Sequence, residues 1–274
     1  MYIISIVIEK ERTEAALFDK EYKLLLKKTG ELEDAAKLCG ALISESGISH
    51  ADIDYVGIAA DSSLVSPCSV ASELEKSIGL KCLPTTLTDA RALGEAYGLE
   101  DASTLVMLKI DEKIECGIII DKKAYTGANN QGKSIAHTVI NFDGFECSCG
   151  NRGCFEAYAC NSGLNRIAAE SGVDGAGALT HKQLFEMNTP EAKQAQMLYV
   201  KYLATGITNI INLFQPRYLV LDGPFTEVGD ALMNPMMDIV LREQYTHSMS
   251  NKGEVRFADV KSDTALIGAA LLGR

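Results

Sequence analysis

The sequence predicts a two-lobed α/β protein, on three observations. The chain has 274 residues, enough for about two domains. Hydrophobic residues make up 47% and charged residues 23%, ordinary for a chain that buries a sizeable core. Paired strand patterns give way to helical ones, and the cycle then repeats. This composition excludes disorder, collagen-like repeats and coiled coil.

The first cycle opens with Tyr2–Ile8 and Ala15–Phe18, which flank a charged turn and read as a hairpin, with Tyr22–Leu26 as a third strand. Across Glu31 to Ser46, apolar residues at Leu32, Ala36, Cys39, Leu42 and Ile43 recur at helical spacing. Asp54–Ala60 is a buried-type strand, Val70–Ile78 a short helix and Lys81–Leu87 another strand. Asp89–Gly98 reads as a helix behind Thr88 as N-cap. In the second cycle, Thr104–Ile110 and Glu115–Ile120 are strands joined by a turn, and Val139–Phe142 is a further strand candidate. Glu156–Ser171 and Glu191–Phe214 carry helical patterns, the latter stopped by Pro216. Tyr218–Leu221 is a buried strand, Met233–Glu243 a helix, Val255–Val260 a strand and Thr264–Leu272 the closing helix. No low-complexity linker intervenes, so the boundary is placed at Glu100–Ser103.

Charge narrows the function. With 26 basic and 37 acidic residues the net charge is −11. A nucleic-acid binder needs a basic footprint to displace phosphate counterions, so direct nucleic-acid binding is not expected. The apolar opening, Tyr2–Ile8, runs straight into Glu9, Lys10, Glu11 and Arg12. It is too short for a bilayer and lacks the frame of an export signal, so a cytoplasmic protein without membrane attachment is expected.

The eight cysteines divide into two groups. Cys39, Cys68, Cys82 and Cys116 are scattered, whereas Cys147, Cys149, Cys154 and Cys160 cluster. With His137 upstream, Cys147, Cys149 and Cys154 offer one imidazole and three thiolates. That set suits structural zinc and leaves no ligand position for water. Gly150 and Gly153 permit the tight turns such a knuckle needs. The plainer alternative is a loop of free thiols, some buried as small hydrophobes. Cys160 lies beyond the knuckle and is expected to pack on the following helix.

The segment CSCGNRGCFEAYA resembles the CxCGxxGCxE signature of the ROK family of repressors, uncharacterised proteins and sugar kinases. KKAYTGANNQGKSIAH is similar to the family's approach to its ExGH motif, and Thr88-Asp89-Ala90 followed by ALGEA to its catalytic Asn-Asp segment. Gln215-Pro216, YLVLDG and the closing TALIGAALLG resemble its nucleotide-side strand and last helix. The resemblance covers nearly the whole chain. It implies an actin-like ATPase fold of the ribonuclease H-like, sugar-kinase type, with a small-molecule sugar bound in a cleft between lobes and a homodimer as the expected assembly. The expected lobes are 1–103, completed by a C-terminal helix at 262–274, and 104–261, with the zinc knuckle at 137–154. By motif, Asp89 would be the base on the sugar hydroxyl. Thr88, Asn129, Ser134, His137 and Glu156 would face the sugar, and Gly223 the nucleotide. His137, Cys147, Cys149 and Cys154 would hold zinc, with ATP and Mg²⁺ bound if the protein is a kinase.

The departures from the family fall on the chemistry. Phosphoryl transfer depends on positioning and on electrostatic stabilisation of phosphate oxygens. The first phosphate loop, DxGGT in the family, is here Val7, Ile8, Glu9, Lys10 and Glu11. It has no glycine, and an aliphatic residue replaces the metal-positioning aspartate. The second, of GTGIG type, is Asp111, Glu112, Lys113, Ile114 and Glu115. Like unit charges about 4 Å apart repel by roughly 4 kcal/mol at an effective dielectric of 20. The glycine pair near Asp222 is reduced to Gly223 followed by Pro224, which donates no N–H. On the sugar side, Ser134 and Ala136 replace the glutamate and glycine of ExGH, and Thr88 and Arg91 replace asparagines.

Each feature has a plainer reading. Asp89 could be the acidic residue of a helix's first turn, Glu156 an exposed residue after the knuckle, and Glu9, Glu11, Asp111 and Glu112 two solvated turns. His50, His181 and His247 have no partner pattern and are expected at the surface. The leading expectation is a sugar-kinase-like protein that binds or senses a carbohydrate, with weak or no phosphotransfer. The alternatives are an active, glucokinase-like hexose kinase and the effector-type domain of a regulator without its DNA-binding region.

Overall fold

The structure, a computed structural model, describes residues 1–10, 12–127, 134–245, 253–259 and 263–274. It divides into two units: Met1–Ser103 with Ile119–Ala124 and Asp259–Arg274, and Thr104–Ile118 with Tyr125–Ala258.

In the first unit, β1 (Tyr2–Glu9) and β2 (Arg12–Asp19) form a hairpin in register from Tyr2↔Asp19 to Glu9↔Arg12. With β3 (Leu24–Gly30), β4 (Ile53–Ala60) and β5 (Cys82–Thr86), they build a sheet ordered β3-β2-β1-β4-β5. β4 runs parallel to β1 and β5. Both faces of β1 are covered, so from Tyr2 to Ile8 its sequence is apolar apart from the buried Ser5 instead of alternating. Ile4, Ile6 and Ile8 pack with α1 (Ala35–Ser46) and α2 (Pro67–Ile78). Ile3 and Val7 pack with α3 (Leu87–Gly98) and the chain's closing helix, α9 (Thr264–Ala270). α9 reaches α3 only where side chains vanish. A Cβ on Gly268 would stand 1.7 Å from the Ala90 carbonyl oxygen, and one on Gly94 2.0 Å from that of Thr264.

The second sheet is ordered β10-β9-β6-β7-β8. Its strands are β6 (Thr104–Ile110), β7 (Ile114–Ile120), β8 (Lys123–Ala124), β9 (Tyr218–Asp222) and β10 (Glu254–Phe257). β9 runs parallel to both β6 and β10. The helices of this part of the chain are α4 (Glu156–Ala159), α5 (Asn161–Glu170), α6 (His181–Glu186), α7 (Pro190–Phe214) and α8 (Asp230–Glu243). Thr189 caps α7 at its start, and Gln215 ends it in the left-handed region at φ 43°. Gly206 lets the Phe155 ring press onto the helix, since a Cβ there would stand 2.2 Å from a ring carbon. No helix among the described residues is long and apolar enough to cross a membrane.

Four local expectations are corrected. The helix expected from Glu156 to Ser171 breaks at Cys160, whose backbone is extended, and Asn161 N–H donates to the Asp111 carbonyl. Val139–Phe142 is no strand beyond a single bridge, Val139↔Cys154, because the chain turns there into the cysteine loop. α3 starts two residues earlier than expected, with Thr86 rather than Thr88 as its cap. His181 is 1% exposed, not a surface residue.

His181 Nε2 lies 2.9 Å from the Tyr199 hydroxyl, which in turn donates to the Ala159 carbonyl. Tyr199 therefore accepts from a neutral, Nε2-protonated imidazole. Burial pushes the His181 pKa down to about 4, against the opposing pull of Asp111. Between about 6.5 and that value the unfolded chain binds the extra proton. This contribution to stability is therefore present above about pH 6.5, falls as pH drops and levels off below about pH 4. Its size is roughly 3 kcal/mol. His181→Gln keeps a donor for Tyr199 without titrating. Its denaturation midpoints between pH 7 and pH 4.5 should fall less steeply than the parent's, and parallel curves would refute the assignment.

Candidate functional site

Among the described residues, His137, Cys147, Cys149 and Cys154 form a group of candidate metal ligands on and beside the cysteine loop. His137 ends a 3-10 turn, Ser134–His137, in which Ile135 and Ala136 are buried. The chain then folds back on itself. Phe155 N–H donates to the Thr138 carbonyl, Ile140 N–H to Gly153 and Cys147 N–H to Asn151. Gly150 and Gly153 take φ of +92° and +74°, which a side chain rarely adopts. A Cβ on Gly153 would also stand 1.6 Å from the Asn141 carbonyl oxygen. Tyr158 anchors the loop to α4: its hydroxyl accepts from Phe145 N–H at 2.9 Å and from Asn141 Nδ2 at 3.1 Å, and its ring stacks on Phe145.

This scaffold brings His137, Cys147, Cys149 and Cys154 together, with one ligand atom from each lying within 4.8 Å of all the others. Cys147 Sγ is 3.6 Å from His137 Nδ1, and Cys149 Sγ is 3.6 Å from Cys154 Sγ. Tetrahedral coordination with metal–sulfur bonds of about 2.3 Å and metal–nitrogen bonds of about 2.0 Å gives edges of roughly 3.5–3.8 Å. The donor set therefore fits a four-coordinate metal. Burial pushes the Cys154 thiol up to about 12, while the Asn151 N–H lowers that of Cys149. A divalent cation deprotonates coordinating thiols outright. Cys160 is buried on α5 with its sulfur 3.2 Å from Ser162 Oγ, outside the four-residue group.

Glu156 is 6% exposed. Its Oε2 accepts from Ile114 N–H at 3.0 Å, and its Oε1 accepts from Ser148 Oγ at 3.3 Å. Ser134 is exposed, and Asn129 lies outside the described residues.

In the first unit, Thr88 and Asp89 are 1% and 2% exposed at the start of α3. Thr86 Oγ1 accepts from Asp89 N–H at 3.2 Å and donates to Asp89 Oδ2 at 2.9 Å. The sequence carried a signal for this cap, since Thr86-Leu87-Thr88-Asp89 has the spacing of a capping box. Glu9, at the end of β1, accepts from Arg91 Nη2 at 2.8 Å. Glu11 lies outside the described residues.

The β6–β7 turn is closed by the chain's own groups. Asn161 Nδ2 donates to Asp111 Oδ1 at 3.0 Å and to Glu112 Oε1 at 2.9 Å, while Lys109 pairs with Glu115 at 3.5 Å. Gly223, at φ 130°, is explained by packing: a Cβ would stand 2.0 Å from the Ile110 carbonyl oxygen. A cavity of about 680 Å³ lies beside this turn, lined by Glu112, Asn161, Asn165, Arg166, Thr180 and Pro224 among others.

The chain is 28% identical over 182 residues to the xylose repressor of Bacillus subtilis, a match covering 64% of this chain and 47% of that protein. It is 29% identical over 220 residues to the glucokinase of Halalkalibacterium halodurans, covering 73% of this chain and 66% of that one. The match thus spans about half to two thirds of these relatives' lengths. Among solved structures, the ROK hexokinase from Thermus thermophilus superposes with a TM-score of 0.83 at 19% identity, over 99% of this chain and 97% of that one. That likeness gives the fold, an actin-like ATPase fold built on two mixed sheets. The family model for ROK matches residues 11–274, and the chain belongs to the ROK family.

Proposed function

We propose that this ROK protein binds or senses a carbohydrate-like ligand, holds a structural zinc ion at His137, Cys147, Cys149 and Cys154, and has weak or no ATP-dependent phosphotransfer. The single observation behind the last point is that both turns at the phosphate-loop positions carry carboxylates already engaged by the chain itself. Glu9 is paired with Arg91, and Asp111 and Glu112 share the Asn161 amide. A triphosphate needs backbone N–H groups that approach closely and a carboxylate-held Mg²⁺. These residues do not fit that pair, and Val7 stands where the metal-positioning aspartate would be.

Zinc bound by three thiolates and an imidazole would supply folding stability, not a reactive water, because no coordination position remains. Asp89, His137 and Glu156 are the side chains proposed to meet sugar hydroxyls, with Thr88, Asn129 and Ser134 as further candidates. Asp89 is pre-oriented by Thr86, which suits a carboxylate that accepts a hydrogen bond or a proton. The similarity to a xylose repressor supports a sensing role, and a cytoplasmic homodimer without direct nucleic-acid or membrane contact belongs to the same proposal. The similarity to a glucokinase, together with Asp89, favours an active hexose kinase as the second reading.

The deciding experiment incubates the protein with Mg-ATP and a panel of hexoses and N-acetylhexosamines, reading sugar phosphate directly. The expected result is no turnover approaching roughly 1 s⁻¹, the low end of ordinary enzyme rates. Turnover at that level, abolished by Asp89→Asn, would restore the kinase. Ligand binding is measured separately by calorimetry with Asp89→Ala: a sugar that binds parent and variant equally places its site elsewhere.

A further inference from the structure

We infer that Glu156 is a strut between the four-ligand cluster and the β6–β7 turn, so that metal occupancy regulates the shape of that acidic turn. This inference rests on the metal reading above. The buried carboxylate uses its two oxygens in opposite directions. Oε2 accepts from Ile114 N–H, the first residue of β7, at 3.0 Å. Oε1 accepts from Ser148 Oγ at 3.3 Å and lies 3.9 Å from Cys147 Sγ. Ser148 sits between two candidate ligands, Cys147 and Cys149, so its position depends on how that loop is closed.

The turn has a second tether in Asn161, which holds Asp111 and Glu112 through its side chain and the Asp111 carbonyl through its N–H. That tether belongs to α5 and does not run through the cysteine loop. Glu156 alone among these groups touches both the loop and the turn. A buried carboxylate that loses hydrogen-bond donors on one side is under-solvated, and a group left in that state costs more than the bond itself contributed. When the loop opens, Glu156 must turn toward water, and Ile114 N–H loses its acceptor. The turn's carboxylates are then held from one side only.

Hydrogen exchange of the full chain tests this, comparing zinc-loaded protein with protein treated with a chelator and with zinc content measured in parallel. Chelation should speed exchange at the Ile114 amide by about tenfold, the equivalent of losing about 1.4 kcal/mol of protection. Glu156→Ala should show the same increase while still loaded, and chelation should add nothing further at Ile114. If that variant does not fold, Ser148→Ala serves: it takes the loop-side hydroxyl from Glu156 Oε1 and leaves Oε2 on Ile114 N–H, so Ile114 should stay protected yet respond less to chelation. Zinc that binds and leaves without changing Ile114 overturns the coupling alone. A chain that holds no zinc overturns the metal reading and the coupling with it.

Discussion

Cys154→Ser is expected to abolish stoichiometric metal binding and to lower stability by on the order of 5 kcal/mol. Cys154 is fully buried, one strand-bridge away from Val139 and adjacent to Phe155, a fully buried ring at the centre of the second unit's core. Removing its sulfur takes one of three thiolates from the cluster and leaves a hydroxyl where burial allows little solvation. The unsatisfied hydroxyl by itself accounts for about 1–3 kcal/mol, and the remainder is binding energy that a closed metal site contributes to folding. Metal analysis and thermal unfolding read the two effects separately. Cys160→Ser is the control: Cys160 is as deeply buried but stands outside the ligand group, so its variant should keep the metal. If Cys154→Ser retained a full equivalent of zinc, the ligand set would be wrong.

Gly268→Ala should destabilise the first unit by about 3 kcal/mol or more. The added methyl would stand 1.7 Å from the Ala90 carbonyl oxygen and 2.5 Å from its carbon, and both are backbone atoms that no side-chain rotation can move aside. Overpacking in cores costs typically 1–3 kcal/mol, and more where the backbone itself must shift. Alanine's better helix propensity returns at most about 1 kcal/mol, so the clash wins. Gly40→Ala, at an exposed position of α1, separates the two effects, because nothing lies within 4 Å of its Cβ position. That variant should be more stable by about 0.5–1 kcal/mol. Denaturant midpoints of the three proteins decide the matter, and a Gly268→Ala protein as stable as its parent would mean that α9 does not pack on α3 in this way.

Helical and strand periods are local properties, so most elements were legible from sequence. An apolar run marked β4 as a buried strand, and Pro216 marked the end of α7. The spacing of His137, Cys147, Cys149 and Cys154, with glycines at 150 and 153, named a group whose ligand atoms the tertiary structure brings within 4.8 Å. The same one-dimensional reading placed His181 at the surface, because a lone histidine carries no sign of the Tyr199 hydroxyl that accepts from it 18 residues away. It ran one helix through Cys160, where the hydrogen bonds of the β6–β7 turn break the chain into two.

The sequence by itself determined the order of elements, the family and the set of candidate metal ligands, because each is written in residue type and spacing. Only the tertiary structure decided where the polar groups of the turns find partners: Glu156 on Ile114, 42 residues away, and Glu9 on Arg91, 82 residues away. A buried carboxylate must be satisfied by whichever donor the fold carries to it, and that donor is chosen by packing between elements, not by neighbours in the chain.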